Sequence, residues 1–206
     1  LIDTHSYYAS QTDTDERRLI AYRIAAGWED PVAARSALET VLRVMGDDHG
    51  YVLSPEAARA LAQAPTTDAR PPRAELLAGR LGYLLVPEFA SGLADQQVQY
   101  AIILETLIQE IDSSLPCGWV IDLRGNLGGS MWAMLPALGV FLGEDKLGAF
   151  VYTDGSTEAW AVMGGQATLN GEVMVSLPGP VVPLARPDSP VAVLIDGLTL
   201  SSGEAV

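Results

Sequence analysis

Pro190-Val191-Ala192-Val193-Leu194-Ile195-Asp196-Gly197-Leu198-Thr199-Leu200-Ser201-Ser202-Gly203-Glu204-Ala205-Val206 is the stretch whose reading decides the fold. A short apolar strand over 191–195 runs into a Gly/Thr/Ser turn, and the turn opens a helix. That order places the Ser201 hydroxyl at a helix N-terminus, where unpaired backbone N–H groups favour a developing negative charge. A nucleophilic serine needs such a place, because its acyl-transfer intermediate carries an oxyanion. The same residues also spell an ordinary cap, since Ser201 and Glu204 fit the S-x-x-E capping box. On this stretch alone both readings stand.

A second strand–turn–helix junction lies upstream, at Asp122-Leu123-Arg124-Gly125-Asn126-Leu127-Gly128-Gly129-Ser130. Its glycines let the backbone come close to a ligand and present N–H groups to an anion. The spacing is G-x-x-G-G and no lysine follows, so it is neither a dinucleotide fingerprint nor a P-loop. By itself it also reads as a tight structural turn. If the sheet sets the two junctions side by side, an N–H of Gly128 or Gly129 and the N–H of Ser202 can converge on one oxygen. That is oxyanion-hole geometry beside Ser201.

Outward from these junctions the pattern is α/β. Gly82–Pro87 and Gly118–Leu123 read as strands, with a helix over Asp95–Ile111 between them that carries Leu104, Leu107, Ile108 and Ile111 on one face. A helix follows over Met131–Leu142. Segments near 149–153, 158–163, 167–176 and 181–184 read as short strands and hairpins. The first third is helical: Asp15–Ala26, then a helix opened by Asp30 and Pro31 with the stripe Leu38, Val41, Leu42, Met45, then a short one from Ser54 to about Ala64. The expected organisation is a helical subdomain over 1–64, a proline-rich linker over 65–73 and an α/β core over 74–206.

Length and composition bound the function. At 206 residues with 49% hydrophobic and 18% charged positions, the chain can bury a full core and is not a disordered segment. Acidic residues outnumber basic ones 26 to 12, which leaves no basic stripe for nucleic acid. No apolar run approaches the roughly 18 residues of a membrane span. The one cysteine, Cys117, excludes an internal disulfide and cysteine-based zinc motifs and reads as a packed thiol at the head of a strand. No cofactor or metal is expected, and oligomeric state is not encoded in any motif.

A serine nucleophile needs a base, and the inventory is short. Lys146, the only lysine, sits in a polar turn, and His5 lies in a terminal segment without site context. His49 stands at the break after an amphipathic helix, between Asp48 and Gly50, and an imidazole accepts protons near neutrality. Either Asp47 or Asp48 can orient it.

The pair Val120-Ile121-Asp122-Leu123-Arg124-Gly125-Asn126-Leu127-Gly128-Gly129 and Thr199-Leu200-Ser201-Ser202-Gly203-Glu204 resembles the S41 serine peptidases, the tail-specific or C-terminal processing group. The resemblance is strongest to the branch of tricorn protease and the retinoid-binding IRBP repeats. Met45-Gly46-Asp47-Asp48-His49-Gly50-Tyr51 is similar to that family's "L-G-D-x-H-S" element, and Gly82–Phe89 to its "G-Y-I-x-I-x-x-F" strand. The resemblance implies a ClpP/crotonase-like α/β core with an N-terminal helical subdomain, and hydrolysis of a peptide or protein through an acyl-enzyme on Ser201. It implies His49 as general base, with an oxyanion hole from Ser202 N–H and a glycine N–H of the 126–129 turn, and Glu204 as a helix-opening residue. It also implies a secreted or periplasmic setting. The linker leaves no room for the PDZ domain that many members carry. Processing members use a lysine downstream of the serine, and the tricorn branch a later glutamate. Neither fits within the five residues after Ser201, so the chain is expected to be a piece of a longer protein. Asp48 stands where the tricorn branch has serine. Two other readings share the fold: an IRBP-like binding module for a peptide or apolar ligand, and a crotonase-like enzyme acting on thioesters, in which the serine junction has no role.

Overall fold

The computed structural model describes residues 8, 13–25, 31–47, 50–63, 70–143 and 145–206. The chain divides into two compact units, Leu1–Gln63 with Phe150–Thr157, and Ala64–Ala149 with Glu158–Val206.

In the first unit, helices α1 (Thr14–Ala25) and α2 (Pro31–Val44) pack on each other and α3 (Pro55–Gln63) follows. Helix α2 buries Ala37, Val41 and Leu42, and the turn after it buries Met45, whereas Leu38 is 38% exposed. Positions 37 and 41 run along one line of the helix, which Met45 continues, and Leu38 sits at its rim, so the small residue takes the inner place. The helix stops through a paired turn: Asp47 N–H donates to the Leu42 carbonyl and Gly46 N–H to that of Arg43, each at 3.0 Å. Asp47 Oδ1 also accepts Gly50 N–H at 2.6 Å. Ser54 caps α3 as its sequence suggests, accepting Ala57 N–H at 3.0 Å with Pro55 as the first helical residue.

The main sheet of the second unit holds β1 (Arg73–Leu77), β2 (Leu81–Leu85), β3 (Gly118–Asp122) and β8 (Val191–Leu194) in that order. The first two form an antiparallel hairpin, while β2, β3 and β8 run parallel. Strand β1 lacks a signature of its own in the sequence and begins at Arg73, the last residue of the proline-rich stretch. Parallel neighbours need crossovers. Helix α4 (Ala94–Asp112) joins β2 to β3, and α5 (Met131–Leu142) follows β3 and packs on α4. Between helices and sheet lie Leu84, Leu104, Ile121 and Met134, none more than 5% exposed. Each buried aliphatic side chain of this size stabilises the unit by about 1.5–3 kcal/mol.

Register decides what happens at the sheet's carboxyl end. Leu85 pairs with Asp122, and Asp122 with Leu194, so the three parallel strands finish level. The turns that follow β3 and β8 therefore start from adjacent positions.

A second sheet has the order β4 (Asp145–Val151), β5 (Thr157–Met163), β6 (Gln166–Leu169) and β7 (Glu172–Ser176), the last three antiparallel in succession. The 167–176 segment is thus a hairpin that turns at Asn170–Gly171. The strand expected over 181–184 is absent. Pro180 and Pro183 remove ladder donors there, and the apolar character goes into packing, with Leu184 only 7% exposed and Val181 set against Val175 and Leu177.

Candidate active site

The two turns are stitched together along their length. Leu123 N–H donates to the Leu194 carbonyl at 2.8 Å, and Gly125 N–H to Asp196 Oδ1 at 3.0 Å. Thr199 Oγ1 donates to the Leu123 carbonyl at 2.9 Å, Leu200 N–H to the Asn126 carbonyl at 2.9 Å, and Ser202 Oγ to the Gly129 carbonyl at 2.7 Å. Asp196 also accepts Leu198 N–H at 2.9 Å, and these backbone donors hold its carboxyl below the usual carboxylate range.

At the root of the first turn, Asp122 is 2% exposed. Its carboxylate accepts two bonds from the Arg124 guanidinium, at 2.9 and 2.7 Å, and one from Tyr83 Oη at 2.7 Å. The Arg124 bonds hold the Asp122 carboxyl well below its ordinary range, against the opposing effect of burial. Burial, followed by the hydrogen bond to Asp122, pushes the Tyr83 phenol up. This cluster fixes the exit from β3 and leaves no free base.

The glycine turn then approaches its neighbours closely. Gly128 and Gly129 have φ of 98° and 94°. A Cβ on Gly128 would lie 2.8 Å from Ser202 N and 2.9 Å from Ser201 Cβ, and one on Gly129 would overlap the Phe89 carbonyl oxygen. Only glycine fits either place. The Gly128 carbonyl accepts Phe89 N–H at 3.0 Å, and the Phe89 carbonyl accepts Ser130 N–H at 2.7 Å. Phe89 also lines a cleft of about 270 Å³, together with Arg70, Pro71, Glu88, Gln96 and Tyr100 among others.

Ser201 has φ 54° and ψ −123° and is exposed. A non-glycine residue held there stores on the order of 1–3 kcal/mol. Helix α6 (Ser202–Ala205) starts at the next residue. Glu204 curls back so that its carboxylate accepts Ser201 N–H at 2.9 Å, while Glu204 N–H donates to the Ser201 backbone carbonyl at 3.0 Å. Ser201 and Glu204 thus form the capping box that their spacing suggests, with Ser201 as the N-cap of α6. Among the described residues, the Ser201 hydroxyl donates to none, and neither Ser202 N–H nor Gly129 N–H meets an acceptor.

The structure thus brings together Ser201, Ser202, Gly128 and Gly129. His49, like Asp48 and His5, lies outside the described residues. Lys146 is on β4 and exposed, and Cys117 is half-buried just before β3. Among the described residues no group of three or more His, Cys, Asp or Glu side chains is placed to hold a metal ion, and no helix is long and apolar enough to cross a membrane. Sequence reasoning missed the polar residues behind the turns. Asn126 is 0% exposed and Thr199 6%. The D-G-x-T run at 196–199 carried a signal for the latter, since Asp and Thr three apart close local turns on backbone N–H groups.

The fold is an α/β core whose three parallel strands end level, with an exposed serine of positive φ beside a glycine turn. The model of peptidase family S41 matches residues 80–206, and the chain belongs to that family. It is similar to a nisin-resistance protein of Lactococcus lactis subsp. lactis, with 30% identity over 169 residues, 81% of this chain and 49% of the relative. Two solved structures share its fold. A lipoprotein from Streptococcus agalactiae superposes with a TM-score of 0.76 at 19% identity, over 99% of this chain and 66% of that one. A photosystem II D1 C-terminal processing protease gives 0.58 at 12% identity, over 99% and 74%. The chain spans about half the length of the nisin-resistance protein.

Proposed function

We propose that the protein is a serine peptidase that cleaves a peptide or protein through an acyl-enzyme on Ser201. One observation carries the reading: Ser201 is held exposed at φ 54° against Gly128, with the N–H of Ser202 beside it and without an acceptor among the described residues. An ordinary cap has no need of that backbone. In the proposed reaction Ser201 Oγ attacks the scissile carbonyl and His49 takes its proton. The oxyanion is held by Ser202 N–H and an N–H of the glycine turn, Gly128 or Gly129. His49 then returns the proton to the leaving amine, and water hydrolyses the ester by the same route. Membership of family S41 supports this chemistry, and the pairing of Ser201 with His49 is our assignment from the sequence. We place the helical subdomain at 1–64, a linker at 65–73 and the catalytic core at 74–206. Likeness to a lipoprotein supports a site of action outside the cytoplasm, and the nisin-resistance relative supports a peptide substrate.

A fluorophosphonate probe tests this on the full-length protein. Labelling is expected at Ser201, to be lost in Ser201→Ala and strongly slowed in His49→Ala. Labelling that survives Ser201→Ala would sink the assignment. A protein that binds peptide and returns it uncut would favour a binding module.

A further inference from the structure

The Asn126 side chain has a part that the motif around it does not disclose. It is 0% exposed, and its Nδ2 donates to the Val86 carbonyl at 3.0 Å while its Oδ1 accepts Gly128 N–H at 2.8 Å. One neighbour is a donor and the other an acceptor, so the amide can face only one way. Its backbone is committed as well, with N–H to the Leu123 carbonyl at 3.0 Å and carbonyl to Leu200 N–H at 2.9 Å. Helix α6 rests on it: a Cβ on Gly203 would lie 2.6 Å from the Asn126 carbonyl oxygen and 2.9 Å from Oδ1. A single buried side chain thus ties the end of β2 to the glycine turn, while its own backbone holds the nucleophile loop.

The turn offers two candidate donors to a carbonyl at Ser201, and they are not equivalent. Gly128 N–H is taken up by Asn126 Oδ1. Gly129 N–H has no acceptor among the described residues, and the Gly129 carbonyl is drawn to Ser202 Oγ at 2.7 Å. We propose that Asn126 is a positioning residue that selects the oxyanion donor: by holding Gly128 N–H it leaves Gly129 N–H to act with Ser202 N–H. Aspartate cannot replace it, because a carboxylate cannot donate to Val86 and would be buried as a charge. A serine or alanine frees Gly128 N–H and lets the turn rotate.

This inference rests on Ser201 being the nucleophile, and the test separates the two. Full-length wild type, Ser201→Ala, Asn126→Ser and Asn126→Asp are compared for the rate of fluorophosphonate labelling. With one oxyanion donor misplaced, both Asn126 variants label on the order of 100-fold more slowly, with little change in the half-saturating probe concentration. A residue that only supports the fold would instead shift the melting temperature and the fraction of labelled protein, not the rate for the folded fraction. A second measurement needs no variant. In ¹⁵N-glycine-labelled wild type, the tetrahedral adduct with phenylboronic acid moves the Gly129 amide proton downfield and leaves that of Gly128 in place. Labelling lost in Ser201→Ala but at wild-type rate in Asn126→Ser overturns the role of Asn126 alone, as does an adduct that shifts Gly128 instead of Gly129. Labelling that persists in Ser201→Ala overturns the nucleophile and this inference together.

Discussion

The turn after β3 and the turn after β8 begin level with each other, yet they handle backbone strain in opposite ways. The first places positive φ on Gly125, Gly128 and Gly129, where it costs little, and buries Asn126 and Leu123 beneath them. The second places it on Ser201, where it costs energy, and leaves the surrounding Leu198 and Leu200 exposed. The first turn contributes only backbone, so glycine serves. In the proposed function the second presents a side chain as well as a backbone, which glycine could not do. Strain that persists on a residue with a usable hydroxyl is what separates this serine from the helix caps elsewhere in the chain, such as Ser54.

The comparison breaks most completely at Ser201. Ser201→Ala is expected to lower peptide turnover by on the order of 10⁴-fold or more, read as kcat on the substrate that wild type cleaves. Ser201→Gly should be as inactive and yet more stable, by about 1 kcal/mol in urea unfolding, because glycine relaxes the φ of 54° at a smaller entropic cost. If Ser201→Gly is no more stable than Ser201→Ala, position 201 is not strained and the contrast between the turns fails.

The mirror experiment adds a side chain to the first turn. Gly129→Ala drives a methyl group into the Phe89 carbonyl and keeps φ at 94°. A loss of about 3 kcal/mol or more in denaturant unfolding is expected, whereas a neutral result would mean the turn can move away from Phe89.

A smaller effect should come from the stitching between the turns. Thr199→Val keeps the shape but leaves the Leu123 carbonyl and Asp196 N–H without their partner, which lies 2.9 and 3.0 Å away. The expected cost is about 1–3 kcal/mol, with slower turnover in proportion to any displacement of Ser201. A variant as stable as wild type would show that water replaces the hydroxyl.

The smallest effect is pH-dependent and sits at the root of the first turn. The Asp122 carboxyl is held below its ordinary value of about 3.9. Its contribution is therefore complete above that value and fades as the pH falls below about 4 toward its folded-state titration. Because Arg124 is 53% exposed, solvent screens much of the pair and the amplitude should be modest. Asp122→Asn is expected to be less stable at pH 7 and to show a shallower decline between about pH 4 and 2 in urea titrations. An equal slope for the two proteins would mean the Arg124 pair contributes nothing.

Much of this site was legible in one dimension. Helix α5, the strands around 118–122 and 191–194, the cap of α3 and the α/β order all follow from periodicity and from residues acting on neighbours a few positions away. That Ser201, Ser202 and the glycines lie in turns was legible because turn residues act on their near neighbours. The remaining features act over long separations. Asn126 reaches Val86 across 40 positions and Thr199 reaches Leu123 across 76, and no pattern within a window of a dozen residues reports such pairs. The strand expected over 181–184 failed for a related reason: apolar residues between prolines serve packing as readily as pairing, and only their neighbours decide which.

By itself, then, the sequence determined the elements, the two turns and the kinds of residue that could do chemistry, because each depends on backbone preference and nearest neighbours. The tertiary structure alone decided that Asp122 pairs with Leu194 so that the turns finish level, that Ser201 rather than a glycine bears the positive φ, and that Gly128 N–H is taken up while Gly129 N–H is not. The register and the stitching of the turns join segments more than 70 residues apart and exist only once the parallel sheet has closed, whereas the Gly128 bond spans two residues and depends on Asn126 being anchored to Val86, 40 positions away.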